Sequence, residues 1–379
     1  MSDLPLAQLC GQLLVGGFLG TDLPASFAAA LARGERAGAI LFRRNLEDLG
    51  QTAELCSTIW AAAPSELPPI VGVDQEGGRV ARLPAPFFAL PPMARLGQLD
   101  DPDLTFRLAR TVGVQLRALG FSLDFAPVLD VGSNPDNPVI GDRSFGPTPE
   151  LVVRHGLAFA RGLAHGGVGA CGKHFPGHGD TSRDSHLELP FVEHDLARLR
   201  ALELVPFAAA AAAGLPALMS AHVVFRALDA ERPATLSPAL CTELLRRELG
   251  FCGVLFSDDL EMGAIGQGFG IEQAAIQAVA AGCDLLLICR DEALQERAHA
   301  ALVRQAEQDA RFAARCREAV GRSLDMRRRA PRPPRAGEGT RPWRSEQQAA
   351  IVQAFESDAV LALGEELARR LEASKDTSP

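Results

Sequence analysis

Residues 237–259 read SPALCTELLRRELGFCGVLFSDD, and the fold turns on how this stretch is read. Its first half is punctuated as a helix. Ser237 suits the N-cap, Pro238 the first helical position and Gly250 the C-terminal stop. Its second half is a short apolar run, GVLF, that ends abruptly in SDD. A helix feeding a buried strand, with carboxylates at that strand's carboxyl end, is one unit of a parallel α/β architecture.

The same unit recurs along the chain. Apolar runs of strand length occur at LLVGGF (13–18), AGAILF (37–42), PPIVGVD (68–74), FSLDFAPVLD (121–130), VGACGKH (168–174), PALMSAHV (216–223), GVLFSDD (253–259) and CDLLLIC (283–289). Stretches with helical periodicity lie between them, among them LTFRLARTVGVQLRALG (104–120), LVVRHGLAFARGLAHGG (151–167) and ALELVPFAAAAAAG (201–214). Eight strand–helix units close naturally into a (β/α)8 TIM barrel. A doubly wound open sheet is the alternative. Polar residues decide against it, because they follow several different strands: Arg43, Arg44 and Asn45, then Asp74, Asp130, Lys173 and His174, His222, and Asp258 with Asp259. Barrels build sites from many strand ends, whereas an open sheet gathers its site at one switch point.

This division predicts a catalytic barrel over residues 1–326. The segment 327–344, RRRAPRPPRAGEGTRPWR, reads as an extended basic, Pro-rich linker. Residues 345–379 then show helical spacing and are expected to form a C-terminal helical tail. A basic patch for an anionic partner is the other reading of 327–344, and the solvated linker is preferred.

At 379 residues, with 47% hydrophobic and 22% charged residues, the chain has the make-up of a globular protein with a sizeable core. A net charge of −9 argues against nucleic-acid or anionic-membrane partners, which favour basic surfaces. The N-terminal stretch MSDLPLAQLCGQLLVGGF carries an acid where a secretory leader carries bases, so it is expected to be mature protein. No apolar run reaches the roughly 20 residues that span a bilayer. Eight cysteines are scattered without a CxxC or other metal-type spacing and read as reduced, buried small hydrophobes. These features predict a cytoplasmic protein, and a monomer is expected.

Four segments can carry chemistry. GKHFPGHGDTSRDSHLELP (172–190) is the densest polar stretch. His174 and His178 are spaced like helical zinc ligands, yet Pro176 and Gly177 between them forbid a regular helix. A loop metal site and a merely polar loop both stay open. The third reading is a catalytic pair: Asp184 and His186 are one residue apart and share a side in extended chain, where a carboxylate orients the imidazole and raises its pKa. VGVDQEGGRVAR (71–82) ends a strand in Asp74, with Arg79 and Arg82 behind a Gly-Gly turn; that arrangement suits gripping hydroxyls, and Asp74 capping its own turn is the plainer account. In GVLFSDDLEM (253–262) two adjacent carboxylates point to opposite sides, so one faces the barrel mouth and can act as a nucleophile at a sugar-like carbon; a helix N-cap is the alternative reading, and these residues alone do not choose between Asp258 and Asp259. VIGDRSFG (139–146) places Arg143 in a Gly-rich loop.

In this order, VDQEGGRVAR, IGDRSFG, GKHFPGHGD…DSH and LFSDDLEM resemble the β-N-acetylhexosaminidases of glycoside hydrolase family 3, above all the single-domain bacterial enzymes of peptidoglycan recycling. The resemblance covers roughly residues 5–325, and the KHFPGHGD…DSH motif is its most specific part. It implies a (β/α)8 barrel that works without cofactor or metal and retains anomeric configuration through a covalent glycosyl-enzyme intermediate. By this likeness Asp258 is the nucleophile, His186 the general acid/base and Asp184 its partner. Asp74, Arg82, Arg143, Lys173 and His174 would hold the N-acetylglucosamine unit. The implied substrate is a small N-acetylglucosamine-containing muropeptide. Alternatives are a phosphorylase using the same Asp–His pair, since a neutral base tolerates phosphate, and a metal-dependent hydrolase built from His174, His178, Asp180 and His222.

Overall fold

The computed structural model describes residues 4–181, 190–266, 268–330 and 342–374. Among the described residues ten strands run in chain order as β1 Leu14–Gly16, β2 Gly38–Leu41, β3 Ile70–Val73, β4 Leu123–Asp124, β5 Gly169–Phe175, β6 Phe191–Val192, β7 Ala217–Ser220, β8 Val224–Phe225, β9 Val254–Asp259 and β10 Leu285–Ile288. Eight of them close a parallel barrel in the order β1-β10-β9-β7-β5-β4-β3-β2. Each barrel strand falls inside one of the eight apolar runs, except that β5 runs one residue past its own to Phe175, and the expected (β/α)8 architecture is the one observed.

Side chains alternate along each strand, so one set fills the barrel interior while the other meets the helices. Val15, Ile40, Phe125, Met219, Phe256 and Leu287 belong to the inner set. Phe125 and Phe256 meet edge to face at 5.2 Å between centroids. The outer layer is built from amphipathic helices such as Pro102–Leu119, which buries Leu104, Leu108, Val112, Leu116 and Leu119 at near-helical repeats.

Three local differences from expectation have clear causes. The run 121–130 pairs as a regular ladder only at Leu123–Asp124, because Pro127 has no N–H to give; pairing resumes irregularly where Leu129 N–H donates to the Lys173 carbonyl at 2.6 Å. Of the Ala-rich stretch 201–214 only Val205–Ala212 forms a continuous helix, with Pro206 in its first turn, and a separate helix, Leu196–Ala201, ends where the stretch begins. Ser237 does not cap its helix: its hydroxyl donates to Asp229 Oδ2 at 2.7 Å, and Ala239–Glu248 winds as a π-helix. Gly250 does supply the stop, at φ +69°. The small parallel pair β6–β8 lies outside the barrel and was not expected.

The helix Ala310–Arg329 runs past position 326, so the first three arginines of the expected linker belong to it. Arg327 is buried at the amino end of the barrel, where Nη1 donates to the carbonyls of Ala37 at 3.2 Å and Pro68 at 3.1 Å and Nη2 to Gln12 Oε1 at 2.8 Å. Helices Pro342–Glu356 and Asp358–Ala373 dock on the barrel's side. Phe355 meets Phe87 at 5.8 Å, Leu363 and Leu367 are buried, and Glu366 accepts a two-pronged contact from Arg107 at 2.6 and 2.7 Å. All eight cysteines are free thiols and all but Cys252 are buried. Among the described residues no helix is long and apolar enough to cross a membrane.

Candidate active site

The carboxyl ends of the strands open into a cavity of about 340 Å³. Its wall includes Asp74, Arg82, Arg143, Lys173, His174 and Asp258, so five expected sugar-binding residues and the expected nucleophile share one pocket. Asp184 and His186 lie outside the described residues.

Position in the pocket follows from the strands. Lys173 and His174 sit near the end of β5 and Asp74 just beyond β3. Lys173 Nζ donates to Asp74 Oδ1 at 2.7 Å and contacts Glu76 Oε1 at 2.6 Å. Arg143 grips Glu76 in a fork, Nε to Oε2 and Nη2 to Oε1, both at 2.8 Å. Burial alone would raise the Glu76 carboxyl, but Lys173 and Arg143 hold it well below the usual carboxylate range. Burial likewise works against the Lys173 ammonium, and the charges of Asp74 and Glu76 more than offset it, raising its pKa. Both partners are therefore ionised. Glu76 was not singled out from the sequence, although it ties two of the candidates together.

A second buried carboxylate organises the histidines. Asp130 accepts His174 Nδ1–H at 2.7 Å, the His174 backbone N–H at 3.1 Å and the His178 backbone N–H at 2.7 Å. This fixes the His174 tautomer and leaves Nε2 as the atom turned away from the carboxylate. His178 Nδ1 meets Thr181 Oγ1 at 2.7 Å, and burial pushes the His178 pKa down to about 4, so its ring is neutral. Asn137 Nδ2 donates to the carbonyls of His178 at 2.8 Å and Gly179 at 3.0 Å, pinning the turn after β5. His222 Nε2 donates to the Asp259 carbonyl at 2.9 Å, while its Nδ1 meets Thr235 Oγ1 at 2.8 Å. The set His174, His178, Asp180 and His222 therefore does not form one metal-ligand group. Among the described residues the only such cluster is Asp180, His194 and Glu203.

Asp258 and Asp259 close β9 and differ in how they are held. Asp259 Oδ1 accepts the N–H groups of Glu261 at 3.0 Å and Cys289 at 3.2 Å, the turn-capping role. Burial pushes the Asp259 carboxyl up to about 7 despite those donors. Burial would raise Asp258 too, but His222, His174, the Asp259 N–H at 2.8 Å and Lys173 bring it below the ordinary range. A carboxylate held ionised in a pocket lined with cations has the properties of a nucleophile for an electrophilic carbon. Arg82, anchored through its backbone N–H to Gln75 Oε1 at 2.8 Å, lines the same pocket, and its buried Nε has no hydrogen-bond partner.

Residues 8–323 match the glycosyl hydrolase family 3 N terminal domain. The chain belongs to that family. It is a glycoside hydrolase. Over 260 residues, 66% of this chain and 71% of the relative, it is 45% identical to a beta-hexosaminidase of Neisseria meningitidis serogroup C. A family 3 beta-N-acetylglucosaminidase structure from Paenibacillus superposes with a TM-score of 0.83 at 40% identity, covering 93% of this chain and 68% of that one. The structure of NagZ from Neisseria gonorrhoeae in complex with N-trifluoroacetyl-D-glucosamine gives a TM-score of 0.69 at 35% identity, covering 82% of this chain and 98% of that one.

Proposed function

We propose that the protein is a retaining exo-β-N-acetylglucosaminidase that removes terminal N-acetylglucosamine from peptidoglycan fragments ending in 1,6-anhydro-N-acetylmuramic acid. The observation that carries this reading is Asp258: a carboxylate held ionised at the end of β9, in the pocket walled by the Asp74–Lys173–Glu76–Arg143 network. The beta-hexosaminidase and beta-N-acetylglucosaminidase names of its relatives support the choice of sugar.

In the first step an Asp258 oxygen attacks the anomeric carbon, the bond to the leaving oxygen breaks, and imidazolium at His186 gives that oxygen its proton. In the second, water attacks the same carbon, neutral His186 takes the water's proton, and Asp258 departs as a carboxylate. Asp184 orients His186. Most retaining glycosidases use two carboxyl groups. Imidazole in the second role adds no negative charge beside the nucleophile or beside an anionic muropeptide. Asp74, Lys173, Arg143, Arg82 and His174 hold the sugar hydroxyls and acetamido group. On this reading residues 1–326 are the catalytic unit, the tail is accessory, and a monomer acts in the cytoplasm on a small substrate, with no nucleic-acid or membrane partner.

Proton NMR of the first seconds of turnover tests the mechanism. Retention gives the β-anomer of free N-acetylglucosamine first, followed by mutarotation; α-anomer first means inversion and defeats the proposal. The same reaction run in phosphate buffer distinguishes the phosphorylase, which forms N-acetylglucosamine 1-phosphate instead of the free sugar.

A further inference from the structure

Outside the sugar pocket, the turn after β5 meets the two ends of one short helix at three side chains, Asp180, His194 and Glu203. Asp180 lies in the turn that follows β5. His194 directly precedes Asp195, whose side chain caps helix Leu196–Ala201 by accepting the Arg198 N–H at 2.8 Å. Glu203 follows the same helix. Asp180 Oδ2 is in direct contact with His194 Nε2, and the ligating atoms of all three residues lie within 4.8 Å of one another.

Asp180 and His194 account for each other through that direct contact. Glu203 is different. It is 2% exposed, packed so that a Cβ on Gly177 would come within 2.9 Å of its own Cβ, yet Oε2 has no hydrogen-bond partner. The carboxylate is otherwise met by its own backbone N–H and by a 3.3 Å contact from Arg198 Nη2 to Oε1, on a side chain that is 41% exposed. A buried carboxylate oxygen left without a donor is rare, because desolvation costs more than a weak contact returns. A cation beside it removes that cost.

We propose that Asp180, His194 and Glu203 form a binding site for one divalent cation of the zinc class. An imidazole nitrogen with two carboxylate oxygens is a donor set for zinc rather than for magnesium or calcium, which prefer oxygen alone. Tetrahedral zinc with bonds of about 2.0–2.2 Å needs its ligand atoms roughly 3.3–3.5 Å apart, so the touching Asp180 and His194 atoms draw apart slightly and any wider separation among the three, at most 4.8 Å, closes, with water as fourth ligand. The ion replaces the direct Asp180–His194 contact and ties residue 180 to residues 194 and 203. None of the three lines the sugar cavity, and none has a part in the glycosidase mechanism proposed above. The two proposals therefore fail independently.

Calorimetric titration of the full chain, stripped with chelator and supplied with Zn2+ alone, tests the site. The wild type and Asp258→Asn bind one ion with equal affinity, and His194→Ala and Glu203→Gln each weaken that binding at least tenfold. No binding by the wild type, unchanged binding by both variants, or loss of binding in Asp258→Asn overturns the proposal. Should the variants fail to fold, anomalous scattering from a zinc-soaked wild-type crystal decides: a peak between the three side chains supports the site, and a peak elsewhere or none refutes it.

Discussion

Glu76 shows what a residue-level reading finds and misses. Asp74, Lys173 and His174 were legible because each ends an apolar strand, where a polar group has no place in a core. Glu76 sits two residues further on, in QEGG, and by type and neighbours reads as a surface turn. The signal that points to it is indirect: cations aimed at one mouth need buried anions, and Asp74 alone is too few. The same limit left Asp258 and Asp259 equivalent in sequence, since only the carboxylate contacts to Glu261 and Cys289 distinguish them. Glu76→Gln leaves Lys173 and Arg143 facing a neutral amide in a buried site. Breaking one side of such a network costs about 3–5 kcal/mol. Urea denaturation should show a loss of that size, with a raised KM for substrate; unchanged stability would mean that the network is slack.

At the scale of elements, the strands were legible and their registers were not. Period and apolarity locate a strand, but Pro127 reshapes the β4–β5 pairing through a single missing donor, and no local pattern announces the β6–β8 pair. The turn after β5 depends on close packing. A Cβ on Gly179 would stand 1.7 Å from the Val131 carbonyl oxygen, inside any contact distance. Gly179→Ala must therefore displace the turn and with it both Asn137 bonds to the carbonyls of residues 178 and 179. Melting temperature should fall by several degrees and kcat/KM by tenfold or more. A variant as stable and active as wild type would show that this turn does not position the site.

For the whole molecule, the barrel was readable because eight units repeat one pattern, and any one of them can be misjudged without losing the count. The tail was readable as helices from their apolar spacing. Its docking face was not, since it joins Phe355 to Phe87 and Glu366 to Arg107 across most of the chain. Arg327 carries the same lesson: in a run of arginines and prolines it looks like linker, and its bonds to the carbonyls of Ala37 and Pro68 and to Gln12 explain its burial. Ending the chain after residue 341 uncovers Phe87 and removes Phe355, Leu363 and Leu367. Loss of one such buried aromatic costs about 3–5 kcal/mol, so the truncated protein should melt earlier. No described tail residue lines the sugar cavity, and kcat per folded molecule should stay within twofold of the full chain. A folded but inactive truncation would place the tail in the catalytic machinery.

The central claim concerns one bond, between Asp258 and the anomeric carbon. Incubation with a fluorinated N-acetylglucosamine analogue that slows the second step, followed by peptide mass mapping, reads that bond directly. The account predicts one sugar adduct on the peptide bearing Asp258, present in Asp259→Asn and absent in Asp258→Asn, which should be inactive while folded. An adduct on any other residue, or wild-type turnover by Asp258→Asn, would contradict it.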